Sequence, residues 1–277
     1  MTTNAADLGE YLPTTASDRL RLMGWAAGLA GIGLLKASER RSTLSIAEKT
    51  KGDFVSEADT EAERTIADVL LSKYPDYGWL GEETGAQTAD GTGLRWIVDP
   101  LDGTVNFLRG LPHWAVSIAL CDGDDPIAAI IYDPVKQELF SAEKGRGAYL
   151  NGHPIRVSDD IPLETALMAT GLPAGGRITY LPHSLQDLDA TMPRTAGLRR
   201  WGAAALDLAY VAAGRFDCYW ERNLGAWDVA AGILLVQEAG GRVTPLWSGH
   251  SILSSGSFLA SNGSLHDAVN RLLNDKE

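Results

Sequence analysis

An apolar run that ends in two carboxylates places the strongest constraint on this chain. In Trp96-Ile97-Val98-Asp99-Pro100-Leu101-Asp102-Gly103-Thr104, the residues up to Val98 read as a strand, and two acids follow three positions apart. Pro100 disfavours the α region for Asp99, so Asp99 sits at the strand end while Asp102, Gly103 and Thr104 open the next turn. Both carboxylates can then face one point. Hard divalent cations take oxygen ligands, and magnesium is satisfied by one or two carboxylates plus waters and phosphate oxygens. The Gly103 and Thr104 amides, at the N-terminus of a following helix, can hold an anion, and the Thr104 hydroxyl can orient a water. Taken singly, these residues are those of an Asp-Pro or Asp-Gly turn with an Asp helix cap; as one run after a buried strand they read as a site where metal and phosphate meet.

Charge points the same way. The 277 residues carry 36 Asp+Glu against 24 Lys+Arg, a net charge of -12, which repels nucleic acid and anionic lipid. An acidic protein that takes a phosphate must put something strongly positive between its carboxylates and that phosphate, and metal ions do this. Cys121 and Cys218 belong to no CxxC or Cys/His cluster, so neither a zinc site nor a disulfide framework is expected. The most apolar stretch, Leu22 to Leu35, has 14 residues against the roughly 20 that span a bilayer. It reads as a buried helix, and the expected location is the cytoplasm, with no membrane partner.

With 45% apolar residues the chain can bury a sizeable core. Residues 1–16 lack periodicity and read as a loose N-terminal arm. A helix is expected from the Ser17 cap to about Lys36, and a second from about Asp59 to Tyr74, with Ile66, Val69 and Leu70 inward and Glu61, Glu63 and Arg64 outward. Between them, Ala47–Ser56 reads as an exposed loop ending in a short strand. Short strands at Gly78–Gly81, Leu94–Val98, Ala115–Cys121, Ile127–Tyr132 and Glu138–Ser141 favour an antiparallel or mixed sheet. Beyond residue 150 strands alternate with helices at Ala203–Ala213 and Asp228–Ala239, and a further helix closes the chain. This half reads as α/β. The expected organisation is an α+β subdomain over 17–155 and an α/β subdomain over 156–277, sharing one interface.

Other acids take meaning from position. Glu82 and Glu83 follow the apolar strand Trp79-Leu80-Gly81; such a pair is a solvated loop or, beside a metal site, a second ligand or water-activating base. Asp228 opens an apolar helix and Asp59 another, where an acid in the first turn complements the helix dipole. No G-x-x-x-x-G-K-[ST], G-x-S-x-G or H-E-x-x-H occurs, so the nucleotide, serine-hydrolase and zincin chemistries lack their motifs.

Together, Gly52-Asp53-Phe54-Val55-Ser56-Glu57-Ala58-Asp59, Gly81-Glu82-Glu83, the run from Trp96 to Phe107 and Trp227-Asp228-Val229-Ala230-Ala231-Gly232 resemble the inositol monophosphatase family of magnesium-dependent, lithium-sensitive sugar phosphatases. The resemblance covers nearly the whole chain and implies a layered αβαβα sandwich assembled as a homodimer. It implies that Glu82, Asp99 and the Leu101 carbonyl hold a first Mg2+, that Asp99, Asp102 and Asp228 hold a second, and that Glu82 helps a third. It further implies that Thr104 paired with Asp59 orients the attacking water, that Gly103 and Thr104 amides bind phosphate, and that Asp102, Gly202, Ala204 and Glu221, supported by Arg199, contact the substrate. Trp201 and the Arg222-Asn223 pair fall in the specificity region. Two departures are visible: Val105 stands where the family often has Thr, and the family's loop lysine is displaced, with Glu48 or Lys49 near its place.

The activity implied is hydrolysis of inositol 1-phosphate by water, without a covalent intermediate. Fructose 1,6-bisphosphate, histidinol phosphate and 3′-phosphoadenosine 5′-phosphate are alternatives within the class. The alternative of another class is a regulatory protein that binds the transcription machinery, as some bacterial members of the family do.

Overall fold

Two amphipathic helices cover one face of a large sheet because each is started by a serine and buries one stripe. The Ser17 hydroxyl accepts from the Leu20 N–H at 3.2 Å and opens α1 (Asp18–Glu39), which buries Leu20, Met23, Ala27, Ala30 and Leu34. Ser56 and Asp59 form a capping box at the start of α2 (Glu57–Lys73). The structure, a computed structural model, describes residues 8–50, 53–87, 91–173, 175–247 and 249–274. Lys51 and Gly52 of the candidate loop, and residues 1–7 of the expected arm, lie outside the described residues.

The strands in chain order are β1 (Ile46–Thr50), β2 (Asp53–Ser56), β3 (Gly78–Gly81), β4 (Gly85–Gln87), β5 (Leu94–Asp102), β6 (Ala115–Asp122), β7 (Asp125–Asp133), β8 (Glu138–Glu143), β9 (Ala148–Leu150), β10 (His153–Ile155), β11 (Leu167–Thr170), β12 (Gly197–Arg199), β13 (Cys218–Glu221), β14 (Arg242–Pro245) and β15 (Phe258–Ser261). The remaining helices are α3 (Thr104–Arg109), α4 (Leu181–Thr191), α5 (Ala204–Ala212), α6 (Ala226–Glu238), α7 (Ile252–Ser255) and α8 (His266–Asn274). Among the described residues β1 and β2 form a hairpin, eight strands form a sheet in the order β10-β9-β8-β7-β6-β5-β3-β4, and five form a second in the order β12-β11-β13-β15-β14. The large sheet is antiparallel except for the parallel β3–β5 pair. In the second, β11 runs parallel to both β12 and β13, and β15 antiparallel to β13 and β14.

Three apolar clusters separate five layers, the expected αβαβα sandwich. One, with Met23, Ile66, Trp96 and Ile130, joins α1 and α2 to the large sheet. The second, with Ile97, Phe140, Leu208, Leu235 and Phe258, places α5 and α6 between the two sheets. The third, with Met168, Trp220, Leu259 and Val269, packs α8 on the outer face of the second sheet. Successive strand residues point to opposite faces, so Trp96 and Val98 of β5 enter one cluster and Ile97 the other. That alternation makes β5 apolar on both faces and explains why its sequence is a continuous hydrophobic run.

Several expectations change. The segment before Ser17 is no loose arm over its described residues: Leu8 and Leu12 are buried against α1, and sequence periodicity cannot reveal two isolated anchors. The Ala47–Ser56 stretch is not a loop with one strand but the β1–β2 hairpin, register-shifted between Glu48 and Thr50. Helix α1 has 22 residues and by length and composition alone could cross a membrane; here its apolar stripe packs on α2 and the large sheet. Glu63 points inward, 1% exposed, because it lies four residues after Asp59 and three before Ile66, on the stripe that α2 buries. The last strand of the large sheet ends at Ile155 and the first of the second begins at Leu167.

Leu12→Ala should lower unfolding free energy by about 2–5 kcal/mol, the usual cost of truncating a buried leucine, when measured by urea denaturation. An unchanged midpoint would mean that the 8–16 segment does not belong to the core.

Candidate metal and phosphate site

Strand β5 does not stop at Val98 but continues to Asp102, with a register shift against β6 between Asp99 and Asp102. That irregularity changes the alternation and brings both acids to one side. The Asp99 Oδ1 accepts the Leu101 N–H at 2.9 Å, fixing the turn around Pro100. Asp228, from the first turn of α6, completes a cluster in which ligand oxygens of Asp99, Asp102 and Asp228 lie within 4.8 Å of one another. The cluster lines a cleft of about 490 Å³ between the two sheets' ends, together with Glu82, Thr104 and Glu221. A larger hollow of about 620 Å³ lies beyond Phe54 and Val105, and none of the clustered acids reaches it.

Asp102, Asp228 and Asp59 also hold helix starts. Asp102 accepts the Ala204 N–H at 3.2 Å and the Ala205 N–H at 2.8 Å, holding the start of α5. The Gly225 N–H donates to Asp228 Oδ2 at 2.7 Å at the start of α6. Asp59 Oδ2 accepts from the Ser56 amide and hydroxyl at 2.8 and 2.6 Å, which leaves Oδ1 facing the Thr104 hydroxyl at 3.0 Å. That hydroxyl also lies 3.1 Å from the Leu101 carbonyl. The capping and site readings of Asp59 and Asp228 are therefore compatible: one oxygen of each caps, while Asp228 lines the cleft and Asp59 meets it through the Thr104 hydroxyl.

The first-turn geometry is set by Gly103, whose φ of 89° is left-handed. Glu82 is placed by a residue the sequence reading had turned outward. The Glu63 carboxylate accepts the Glu83 and Thr84 N–H groups at 2.8 and 2.9 Å and the Thr84 hydroxyl at 2.5 Å, so a carboxylate from α2 clamps the turn that carries Glu82. Glu221 reaches the cleft because Gly171 leaves room for it: a methyl group at Gly171 would stand 1.8 Å from the Glu221 carboxylate. The Tyr219 hydroxyl donates to Glu221 Oε2 at 2.6 Å.

Electrostatics mark the cluster as incomplete by itself. Burial, then the charges of Glu82, Asp102 and Asp228, push the Asp99 carboxyl well above the ordinary carboxylate range. Burial raises Asp102 to about 7 against the opposing pull of the Ala205 and Ala204 amides. Burial also raises Asp59, with the Ser56 and Thr104 hydrogen bonds opposing it. Hard oxygen donors buried together, with Asp99 and Asp102 raised above the ordinary carboxylate range, fit a divalent cation, whose binding displaces protons from such ligands.

Of the expected substrate contacts, Asp102, Gly202, Ala204 and Glu221 line the cleft. The Ala204 N–H, however, is spent on Asp102. Arg199 does not reach it: the side chain is exposed on β12, and Nη1 donates to the Leu198 carbonyl. Its neighbour Arg200, just past the end of β12, lines the cleft instead. Trp201 packs on His113, Tyr210 and Phe216 outside the cleft. Asn223 lines the cleft and Arg222 does not. Sequence reasoning missed Glu63, Gly171 and Arg200; for Glu63 the i, i+4 spacing from Asp59 was the available signal.

The inositol monophosphatase family profile matches residues 21–277. The inositol-1-monophosphatase of Caulobacter vibrioides is 44% identical over 247 residues, covering 88% of this chain and 96% of that protein. The Nus factor SuhB of Pseudomonas aeruginosa is 47% identical over 240 residues, covering 86% and 89%. Among solved structures, the extragenic suppressor protein suhB of Bartonella henselae superposes with a TM-score of 0.90 at 42% identity, over 94% of this chain and 100% of that one.

Without metal, Asp102→Asn should gain stability relative to the parent as pH rises. The folded carboxyl titrates near 7 and the unfolded one near 3.8, so between these values the native state holds the extra proton and the parent loses stability with rising pH. The neutral amide removes that loss. Thermal melts in chelator at pH 5 and pH 8 should show the variant's advantage growing; an advantage that shrinks toward pH 8 contradicts the assignment. Gly171→Ala should displace Glu221, visible in a crystal structure as a rotated carboxylate; an unmoved Glu221 would refute its dependence on that gap.

Proposed function

The chain belongs to the inositol monophosphatase family, and we propose that it is a magnesium-dependent phosphomonoesterase whose substrate is inositol 1-phosphate. The observation that carries this reading is the cluster of buried Asp99 and Asp102 with half-buried Asp228 beside the Thr104–Asp59 hydrogen bond. The donors for two or three ions are Asp99, Asp102 and Asp228 with Glu82 and the Leu101 carbonyl. Bound there, the ions supply Lewis-acid stabilisation to the transferring phosphoryl group and its leaving oxygen.

The protein's own groups do the positioning. The Thr104 hydroxyl donates its proton to Asp59, so its oxygen is left to accept from a water and turn that water's lone pair toward phosphorus. The carboxylate of Glu82, which follows the strand beside the Glu63-clamped turn and lines the same cleft as Thr104, takes a proton from that water. Gly103 and Thr104 amides hold phosphate oxygens. Water then displaces the alcohol in line, and no side chain is needed as nucleophile. Asp102 and Glu221 accept hydrogen bonds from hydroxyls of the alcohol half, with Gly202 and Ala204 shaping its wall, which favours a polyol over an apolar leaving group. The enzyme acts as a cytoplasmic homodimer.

A second reading is favoured by a specific observation: several relatives carry the name Nus factor SuhB. It assigns the chain a regulatory role with the transcription machinery, alongside hydrolysis.

Phosphate release from inositol 1-phosphate should require Mg2+, stop with chelator and exceed release from fructose 1,6-bisphosphate, histidinol phosphate and 3′-phosphoadenosine 5′-phosphate. Asp102→Asn should cut it by more than about 100-fold. Release led by another ester overturns the polyol reading; no release from any, with partner binding intact in the variant, leaves the regulatory role alone.

A further inference from the structure

The turn that follows Glu221 is held at every residue. Asn223, in the left-handed region at φ 58°, donates its N–H to Ser257 Oγ at 3.0 Å. The Leu224 N–H donates to the Gly256 carbonyl at 3.0 Å, and the Gly225 N–H to Asp228. Asn223, Leu224 and Gly225 all line the cleft. The turn's first residue, Arg222, points the other way, into the protein, and pairs with Asp187 of α4. One guanidinium nitrogen, Nη1, bonds Asp187 Oδ2, and Nη2 lies 3.3 Å from Oδ1. The side chains are 5% and 1% exposed.

A buried pair of this kind is a poor investment in stability. Desolvating both ions offsets most of their attraction, and apolar residues of similar volume are commonly neutral or better. Its distinct property is direction: a two-pronged contact between planar groups fixes orientation in a way that apolar packing does not. Here the orientation fixed is that of the residue joining Glu221 to Asn223. On the phosphomonoesterase reading the phosphate sits over the β5 acids, with the water aimed from the Thr104 side. In-line displacement therefore sends the alcohol away from Thr104, toward the wall contributed by the second sheet and the start of α6, where this turn lies.

We propose that Arg222 and Asp187 are positioning residues that set selectivity for the alcohol half of the phosphate ester, through the placement of Asn223 and Leu224. This rests on the phosphomonoesterase reading. The pair links the outer helix α4 to the cleft wall without touching the substrate, so its loss should alter discrimination between alcohols and leave phosphate chemistry in place.

The test compares kcat/KM for inositol 1-phosphate with that for p-nitrophenyl phosphate, whose leaving group carries no polyol hydroxyls, both with Mg2+. Arg222→Met should lower the ratio of the two by about 10- to 100-fold, the range expected for a misplaced positioning contact, with most of the loss on the inositol ester. Arg222→Lys should restore part of it. Should Arg222→Met fail to fold, the double variant Arg222→Met with Asp187→Leu, which removes both members of the buried pair, should fold and show the same lowered ratio. Equal losses on both esters, an unchanged ratio in a folded variant, or a parental ratio in the double variant would each overturn the proposal. If the parent protein hydrolyses neither ester, the phosphomonoesterase reading itself fails.

Discussion

Three carboxylates confined within 4.8 Å of one another are the constraint around which this structure is arranged. Like charges at that separation repel in any medium, and more strongly where water is excluded. The fold answers with helix N-termini. Asp102 takes the first amides of α5, Asp228 takes an amide at the start of α6, and Asp59 caps α2 while facing Thr104 at the start of α3. Each helix presents its partly positive end to an acid of the cleft. These contacts do not cancel the cost of ionising the cluster: burial first, then the neighbouring carboxylates, keeps Asp99 and Asp102 above the ordinary carboxylate range. A divalent cation completes what the helix ends begin.

The layering follows from the same requirement. Strand β5 must be buried on both faces to carry its acids into the interior, and it is covered by α1 and α2 on one side and by α5 and α6 on the other. The second sheet then closes over α5 and α6 and brings Glu221 and the 222–225 turn to the opposite wall. On the proposed reading, metal ligands come mainly from one half of the chain, and alcohol contacts, Asp102 apart, from the other. Phosphate chemistry can stay fixed while the second wall changes, and the buried Arg222–Asp187 pair is a feature of that second wall.

Much of this was legible in the sequence where a residue's role is local. The Asp99–Thr104 run reads as an apolar strand delivering two acids to a turn and helix start, and Gly103 does open that turn with a left-handed φ of 89°, although the strand runs on to Asp102. What stayed hidden depends on distant chain. Gly171 matters because Glu221, fifty residues later, occupies the space its missing side chain leaves. Arg199 and Arg200 are chemically alike, and only the path of the chain after β12 decides which faces the cleft. Leu8 and Leu12 carry no periodic signal, so their anchoring is invisible until α1 is folded beside them. Glu63 is the exception, since its helical spacing was sufficient and its charge misled.

Asp99 and Asp102 are raised above the ordinary carboxylate range, so a divalent cation must displace protons from them to bind. Calorimetric titration of the metal-free protein with Mg2+ in buffers of different ionisation enthalpy measures this directly. The account predicts that binding at pH 6.5 releases protons to the buffer, that release diminishes by pH 8.5, and that affinity rises over the same interval. Binding of equal strength at both pH values with no proton release would contradict it.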